Sequence, residues 1–520
     1  MYRMTQPLCS AATLTPSRLA TVCDDRAVSW REFRDRTARL AGAIRQLGIE
    51  AGDRAAILAL NSDRYLETLY GSWWAGAVVV PMNTRWSVSE HAYSLNDSGA
   101  RILFIDAEFA PLAGPIMSAL EHQPIIVYLD GGETPDGMQT YEDMLQAGTP
   151  VADECADGDA LAGIYYTGGT TGFPKGVMLS HQALWYNGLA IAKHAYFEPE
   201  DRYLHVAPMF HLADSAGSMG ATMTGATHYF VPSFTPAGMI ESARRHRITH
   251  TLMVPTMIGM VLQHPDFSAD KFSELRNLIY GASPMPEGLL RQVIEQLPDV
   301  GLVQGYGQTE MAPLVTSLAP RDHIVDGPLA GKLRSAGRAI CGCEVEIRDA
   351  TGKVLPPGEI GEIYARSPGS MSGYWKLPEL TTETLYDGWV RSGDLAYLDE
   401  DGFVFVVDRA KDMIVSGGEN VFSAEVESVL STHPAVAAVA VIGIPDETWG
   451  EAVHAIVVPK ADVEITEAEI IDYCHAKLTH YKCPKSVALR AEPLPLSGAG
   501  KVLKRELREP YWGGKQRQVS

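Results

Sequence analysis

Between residues 29 and 47 the chain reads SWREFRDRTARLAGAIRQL, with apolar side chains three and four apart and charged ones between them. That period predicts an amphipathic helix entered at Ser29 or Trp30. The pattern then shortens. AAILAL (55–60) is an apolar run of strand length, a helical stretch follows around 65–75, and AGAVVVPM (75–82) is a second strand ended by proline. ARILFID (100–106) and PIIVYLD (124–130) repeat the theme. It resumes in DRYLHVAP (201–208), ATHYFVP (226–232), THTLMVP (249–255), LRNLIYGAS (275–283) and GLVQGYG (301–307). Short apolar runs alternating with helical stretches predict parallel strands in α/β layers.

Near Ala339 the character changes. CEVEIRDATGKVLPPGEIGEIYARS (343–367) carries Thr-Gly and Pro-Pro-Gly turns, and DLAYLDEDGFVFVVDR (394–409) folds back at Glu-Asp-Gly. This is antiparallel β, a small barrel or sheet. After Arg409 a separate mixed α and β pattern begins, which places a domain boundary at 408–411. Its valine-rich run AVAAVAVIGI (435–444), followed by Pro445, reads as a buried strand and is too short to span a bilayer. No internal repeat or low-complexity tract interrupts the chain.

Length and composition narrow the function classes. At 520 residues the chain exceeds a single ordinary core, so two or more domains are expected. Hydrophobic residues at 46% and charged residues at 21% are globular proportions, which argues against extensive disorder. A net charge of −21 repels a polyanion and argues against nucleic acid as a partner. No Lys/Arg run suits an anionic membrane surface. Seven scattered cysteines without a CxxC fit a reduced, cytoplasmic protein. Cys341-Gly-Cys343 reads either as half a metal site or as two small buried residues. The N-terminal residues hold no apolar core of signal-peptide length, so a cytoplasmic location is expected.

An anionic ligand must therefore be held by a local field, and IYYTGGTTGFPKGVMLSH (164–181) supplies one. It is not a Walker A loop. Counted from Gly168 or Gly169, the second glycine would fall on Phe173 or Pro174, and no GxGxxG follows a strand. The physics still favours phosphate. Glycines let backbone N–H groups approach an anion, Thr167, Thr170 and Thr171 add hydroxyls, and Lys175 adds a point charge. The alternative is a plain surface loop between a strand and a helix.

This stretch resembles the phosphate-loop signature of the adenylate-forming superfamily, which includes acyl-CoA synthetases, beetle luciferases and peptide-synthetase adenylation domains. YGASPMP (280–286), QGYGQTE (304–310), GWVRSGDLAYLDEDGFVFVVDRAKDMIVSGGENVFSAEVE (388–427) and LPLSGAGKVLKRELR (494–508) resemble its further motifs in the same order. The resemblance implies an α/β fold: a large N-terminal domain (1–408) of two doubly wound subdomains and a β-barrel, a hinge (409–411) and a small mobile α+β C-terminal domain (412–520). It implies an ATP-dependent carboxylic acid–CoA ligase using ATP, Mg²⁺ and coenzyme A, as a monomer or homodimer. The carboxylate would first be joined to AMP with loss of pyrophosphate and then passed to CoA.

Residue by residue, the resemblance assigns Thr167, Gly168, Gly169, Thr170, Thr171, Gly172 and Lys175 to the β- and γ-phosphates. Many relatives carry serine where this chain has Gly169. Gly281, Ala282 and Ser283 fall beside the adenine, with Tyr306 and Gly307 opposite. Thr309 would bond the α-phosphate and Glu310 would hold Mg²⁺. Asp394 would accept the ribose hydroxyls, although a lone Asp there also reads as a turn-former. Arg409 would approach ribose or phosphate. Lys411 would be the hinge, and Gly417 and Gly418 would line a pantetheine tunnel. Trp449 and Lys482 would contact the CoA nucleotide, or serve as a core Trp and a surface Lys. Lys501 would bridge the carboxylate and the α-phosphate; Leu496, before it, departs from the Lys or Arg of many relatives. His211 would sit beside the substrate carboxylate or be structural.

The acid is less legible. Met253, Met257 and Met260 at helical spacing, with Met285, Met311 and Ala312, would line an apolar pocket or fill a core. A medium- or long-chain fatty acid is favoured, an aryl acid of the cinnamate or benzoate type being the alternative. Ser215 stands where some long-chain synthetases carry a gating tryptophan. Transfer to an amine or carrier protein instead of CoA is a second enzyme reading. A non-catalytic sensor would be expected to lose Lys175, Glu310 or Lys501, and all three are present.

Overall fold

The computed structural model describes residues 2–156, 158–168, 174–461, 463–496 and 502–513. The amphipathic stretch folds as the helix Trp30–Gln46. Its start is set by Ser29, whose hydroxyl oxygen accepts the Glu32 N–H while Glu32 Oε2 accepts the Ser29 N–H at 2.9 Å. Trp30, Phe33, Leu40 and Ile44 form its buried face.

Two large sheets follow from the apolar runs. The first has eight strands in the order Gly373–Tyr374, Lys175–Ser180, Leu161–Thr167, Val78–Pro81, Arg54–Leu58, Ala100–Ile105, Ile125–Tyr128 and Gln139–Thr140. The second has nine: Arg338–Ala339, Leu314–Leu318, Gly301–Gly307, Asn277–Gly281, His250–Met253, Arg202–His205, Thr227–Phe230, Leu19–Cys23 and Arg26–Ser29. Inner pairs are parallel, and antiparallel pairs lie towards the edges. Helix Asp63–Trp74 touches strands of both sheets and is buried along its whole length. Its charges survive burial because they are paired. Arg36 Nε and the Tyr141 hydroxyl donate to the two oxygens of Glu67 at 2.7 and 2.8 Å, and Arg26 pairs with Asp63.

The antiparallel region is a sheet of Glu344–Arg348, Gly361–Arg366, Trp389–Leu398, Leu385–Tyr386 and Val404–Arg409. Among the described residues its pairings leave it open, and they do not close the expected barrel. A smaller C-terminal domain follows, built on the long hairpin Val436–Asp446 and Gly450–Pro459. Pro445 does not end the first of these strands, because it lies next to the hairpin's turn and pairs with Glu451 there. Among the described residues no helix is long and apolar enough to cross a membrane.

Candidate active site

Thr167 ends its strand and pairs with Lys175, the first residue of the next. The strands that flank the glycine–threonine segment are therefore antiparallel partners, so the segment joins strand to strand and not strand to helix. Helix His181–His194 begins only after the second strand, so its N-terminal dipole is not at the loop. Phosphate binding there would rest on N–H groups, hydroxyls and Lys175. Gly168 is exposed at the hairpin's edge. Gly169, Thr170, Thr171 and Gly172 lie outside the described residues, as does Lys501.

The hairpin is joined to the QGYGQTE segment by a residue from elsewhere. Strand Gly373–Tyr374 pairs with Lys175–Ser180, setting Tyr374 opposite Val177. Lys175 Nζ lies 5.6 Å from the centre of the Tyr374 ring. The Tyr374 hydroxyl donates to Glu310 Oε1 at 2.8 Å. Burial and the Glu310 carboxylate push that phenol's pKa far up, so it remains a donor. Thr309 and Glu310 occupy the short helix Thr309–Met311. Asn187, fully buried, clamps this reversal: its Nδ2 donates to Met311 O at 3.1 Å and Leu314 O at 3.2 Å, and its Oδ1 accepts the Leu314 N–H. Gly307 cannot be larger, because a Cβ there would stand 1.8 Å from the Pro313 carbonyl oxygen.

The donor set at Glu310 fits Mg²⁺. Tyr374 takes one carboxylate oxygen, which leaves Oε2 as a hard donor. Among the described residues no group of three or more His, Cys, Asp or Glu could cage an ion. Mg²⁺ is commonly held in this way, by one or two carboxylates plus phosphate and water oxygens.

A second group of side chains forms beside it. Asp394 lies within strand Trp389–Leu398, opposite Arg409, and not in a turn. The Tyr306 hydroxyl donates to Asp394 Oδ2 at 2.8 Å, and Arg409 Nε lies 3.4 Å from Oδ1. Gly281 and Tyr306 come from neighbouring parallel strands at their carboxyl ends, where open α/β sheets bind ligands. A Cβ on Gly281 would stand 2.2 Å from Gly305 O. Ala282 takes a left-handed φ of 64° before Ser283.

Of the residues assigned to the second step, Gly417 and Trp449 are in contact. Arg508 donates to the Lys411 carbonyl at 3.3 Å and pairs with Asp412. Burial and Arg409 push the Lys411 ammonium pKa down. Gly417 has φ 62°, its N–H donates to Trp449 O at 2.8 Å, and a Cβ on it would meet the Trp449 ring at 2.6 Å. Trp449 is half exposed, so the core alternative fails for it. Gly418, with φ 85°, has open space around it. Lys482 is held by both oxygens of Glu425 at 2.8 Å. His211 caps helix Leu212–Thr224, its Nδ1 accepting the Ala213 N–H at 3.2 Å.

The methionines do not share one surface. Met253 is buried in a strand, Met257 is half buried, and Met260 is 52% exposed, because helix Pro255–Leu262 turns it outwards. Ser215 is buried, its hydroxyl donating to Met209 O at 2.6 Å. Cys343 is buried and Cys341 exposed, so the reading of two buried cysteines holds for one. Sequence reasoning missed Tyr374 and Asn187. A polar Asn inside the apolar helix HQALWYNGLAIAKH was the available signal for the second. Tyr374, 64 positions from Glu310, gave none.

Residues 9–375 match the profile of the AMP-binding enzymes, and 425–501 match that of the AMP-binding enzyme C-terminal domain. The chain belongs to the AMP-binding enzyme family. This AMP-binding enzyme is 37% identical to feruloyl-CoA synthase of Amycolatopsis sp over 501 residues, 96% of this chain and 97% of that protein. It is 36% identical to long-chain-fatty-acid–CoA ligase FadD13 of Mycobacterium tuberculosis over 502 residues, again 96% and 97%. ATP-bound MatB from Rhodopseudomonas palustris superposes with a TM-score of 0.88 at 29% identity, covering 98% of this chain and 99% of that one.

Proposed function

We propose that this AMP-binding enzyme is an ATP-dependent carboxylic acid–CoA ligase that uses ATP, Mg²⁺ and coenzyme A. The contact that supports this most is Lys175–Tyr374–Glu310, which joins a phosphate-type hairpin to a carboxylate suited to Mg²⁺. In the first step a carboxylate oxygen attacks the α-phosphorus and the bond to pyrophosphate breaks. Attacking group and target are both anionic, so catalysis is positioning and charge stabilisation. Thr167, Gly168, Gly169, Thr170, Thr171, Gly172 and Lys175 hold the outer phosphates. Glu310 holds Mg²⁺, which supplies positive charge to phosphate oxygens when bound. Thr309 donates to the α-phosphate, and Lys501 bridges it to the incoming carboxylate. Gly281, Ala282, Ser283, Tyr306 and Gly307 flank the adenine. Tyr306 and Arg409 orient the two oxygens of Asp394 towards the ribose hydroxyls.

In the second step the CoA sulfur attacks the acyl carbonyl and AMP leaves. The domain boundary at 408, the hinge at 409–411 and a mobile 412–520 belong to this reading. Gly417 and Gly418 admit pantetheine, and Trp449 and Lys482 meet the nucleotide of CoA, Lys482 by exchanging Glu425 for phosphate. His211 shapes the acyl end. The substrate is an apolar acid, of the medium- or long-chain fatty class. The likeness to FadD13 supports it. Likeness to feruloyl-CoA synthase supports an aryl acid as the second reading. The protein acts in the cytoplasm as a monomer or homodimer. The test is mass spectrometry with ATP, Mg²⁺, CoA and a panel of fatty and aryl acids. Acyl-CoA with AMP is expected. Acyl-AMP without thioester refutes CoA as acceptor and points to an amine or carrier protein, and neither product refutes the ligase reading.

A further inference from the structure

Outside the residues that the resemblance names, one side chain touches two of them at once. Resting on the reading above, we propose that Tyr374 is a positioning residue that fixes the Glu310 carboxylate for its metal and holds the Lys175 ammonium beside it. A glutamate on a short helical turn has several rotamers open to it, and a hydrogen bond to one oxygen selects among them. Tyr374 makes that bond at 2.8 Å to Oε1, which leaves Oε2 for the ion. Its ring is also the face over which Lys175 Nζ sits at 5.6 Å, within cation–π range. One planar group thus sets the spacing between a cation for the outer phosphates and the carboxylate for the metal.

Tyr374 is itself held from several sides. Its strand is paired with the strand that starts at Lys175. Its N–H donates to Thr381 Oγ1 at 2.9 Å, and that hydroxyl donates to Leu377 O at 2.8 Å. Gly373, at φ 137°, brings the strand against Thr381, where a Cβ would stand 2.7 Å from Cγ2. These contacts fix the phenol before any ligand arrives, and preorganisation of this kind lets the site bind its metal without reorganising.

The experiment is Tyr374→Phe in the full-length protein, with pyrophosphate release measured across a Mg²⁺ titration at saturating ATP. The phenyl ring keeps its face for Lys175 and loses only the hydroxyl. The Mg²⁺ concentration for half-maximal rate is expected to rise about tenfold, the worth of a hydrogen bond to a charged group. The rate at saturating Mg²⁺ should return towards that of the parent. Tyr374→Leu, which also removes the face, should in addition raise the KM for ATP. An unchanged Mg²⁺ curve in Tyr374→Phe overturns the proposal. So does an equal loss of rate at every Mg²⁺ concentration, or a fall in thermal stability that accounts for the loss, since either marks the tyrosine as structural. Glu310→Gln is the reference: if it leaves the Mg²⁺ curve unmoved, the metal assignment itself fails, separately from the role of Tyr374.

Discussion

Lys504 is the shared counter-charge for carboxylates on both sides of the 409–411 segment, and replacing it with Met should release the C-terminal helix. Its Nζ lies 2.7 Å from Glu427 Oε1 and 2.6 Å from Ser423 Oγ. Ser423 in turn donates from its N–H and hydroxyl to Asp408 Oδ2 at 2.5 and 2.8 Å. Asp412 also feels this charge. The pair is partly buried, with the Lys504 side chain 13% and the Glu427 side chain 22% exposed, so removing the cation costs less than the ~3–5 kcal/mol of a fully buried pair. Helix Lys504–Trp512 has Leu507 as its one buried residue, worth about 2 kcal/mol. The electrostatic loss is of the same order as the apolar anchor. Lys504→Met should therefore be cut early in its C-terminal helix by a protease and lose adenylation about tenfold or more, although Lys501 is intact. Burial already pushes the Asp408 and Glu427 carboxyls up. A carboxyl raised in the folded state takes up protons more readily there than when unfolded, so lowering the pH should bring the variant back towards the parent. Full protease resistance with an undiminished rate of pyrophosphate release would refute the reasoning.

Gly307→Ala forces a Cβ to within 1.8 Å of the Pro313 carbonyl, so the turn carrying Thr309 and Glu310 must move. It should cost ~1–3 kcal/mol in a melting experiment and abolish pyrophosphate release. Gly417→Ala meets the Trp449 ring at 2.6 Å with a left-handed φ, and mass spectrometry should find acyl-AMP formed while acyl-CoA falls. Burial pushes the pKa of His91, His181 and His323 down to about 4 each. The unfolded chain then binds more protons between about 6.5 and 4, so stability is fully present above that window and falls as pH falls through it. The urea midpoint should drop from pH 7 to pH 4.5, and His91→Phe should flatten that slope.

The parallel strands were legible because burial on both faces makes each a continuous apolar run. The helix after Ser29 was legible from apolar side chains three and four apart. The hairpin of Leu19–Cys23 and Arg26–Ser29 was not, since exposed and half-buried positions break up any continuous apolar run there. The alternatives of a strand-to-helix loop at the glycines and of a turn-former at Asp394 both fail. A hairpin tip and a strand-to-helix loop share the same Gly and Thr chemistry, and only pairing distinguishes them. In the candidate site, residues carried by a motif could be named from the sequence, and those joined across the chain could not. Tyr374 reaches Glu310 from an edge strand, and Asn187 reaches Met311 and Leu314 from a helix, contacts that exist only after folding.

Strand Gly301–Gly307 runs parallel to Asn277–Gly281 on one side and antiparallel to Leu314–Leu318 on the other. The sheet reverses its polarity at this strand, and the chain doubles back within residues 308–313. Residues 281 and 305–310 are thereby welded to a sheet whose strands are locked by register, with glycines where backbone meets backbone. Such a wall has no slack to share out. An enzyme built on it has to take up differences in acid shape with the side chains and helices that face the wall, and to supply movement from the far end of the chain.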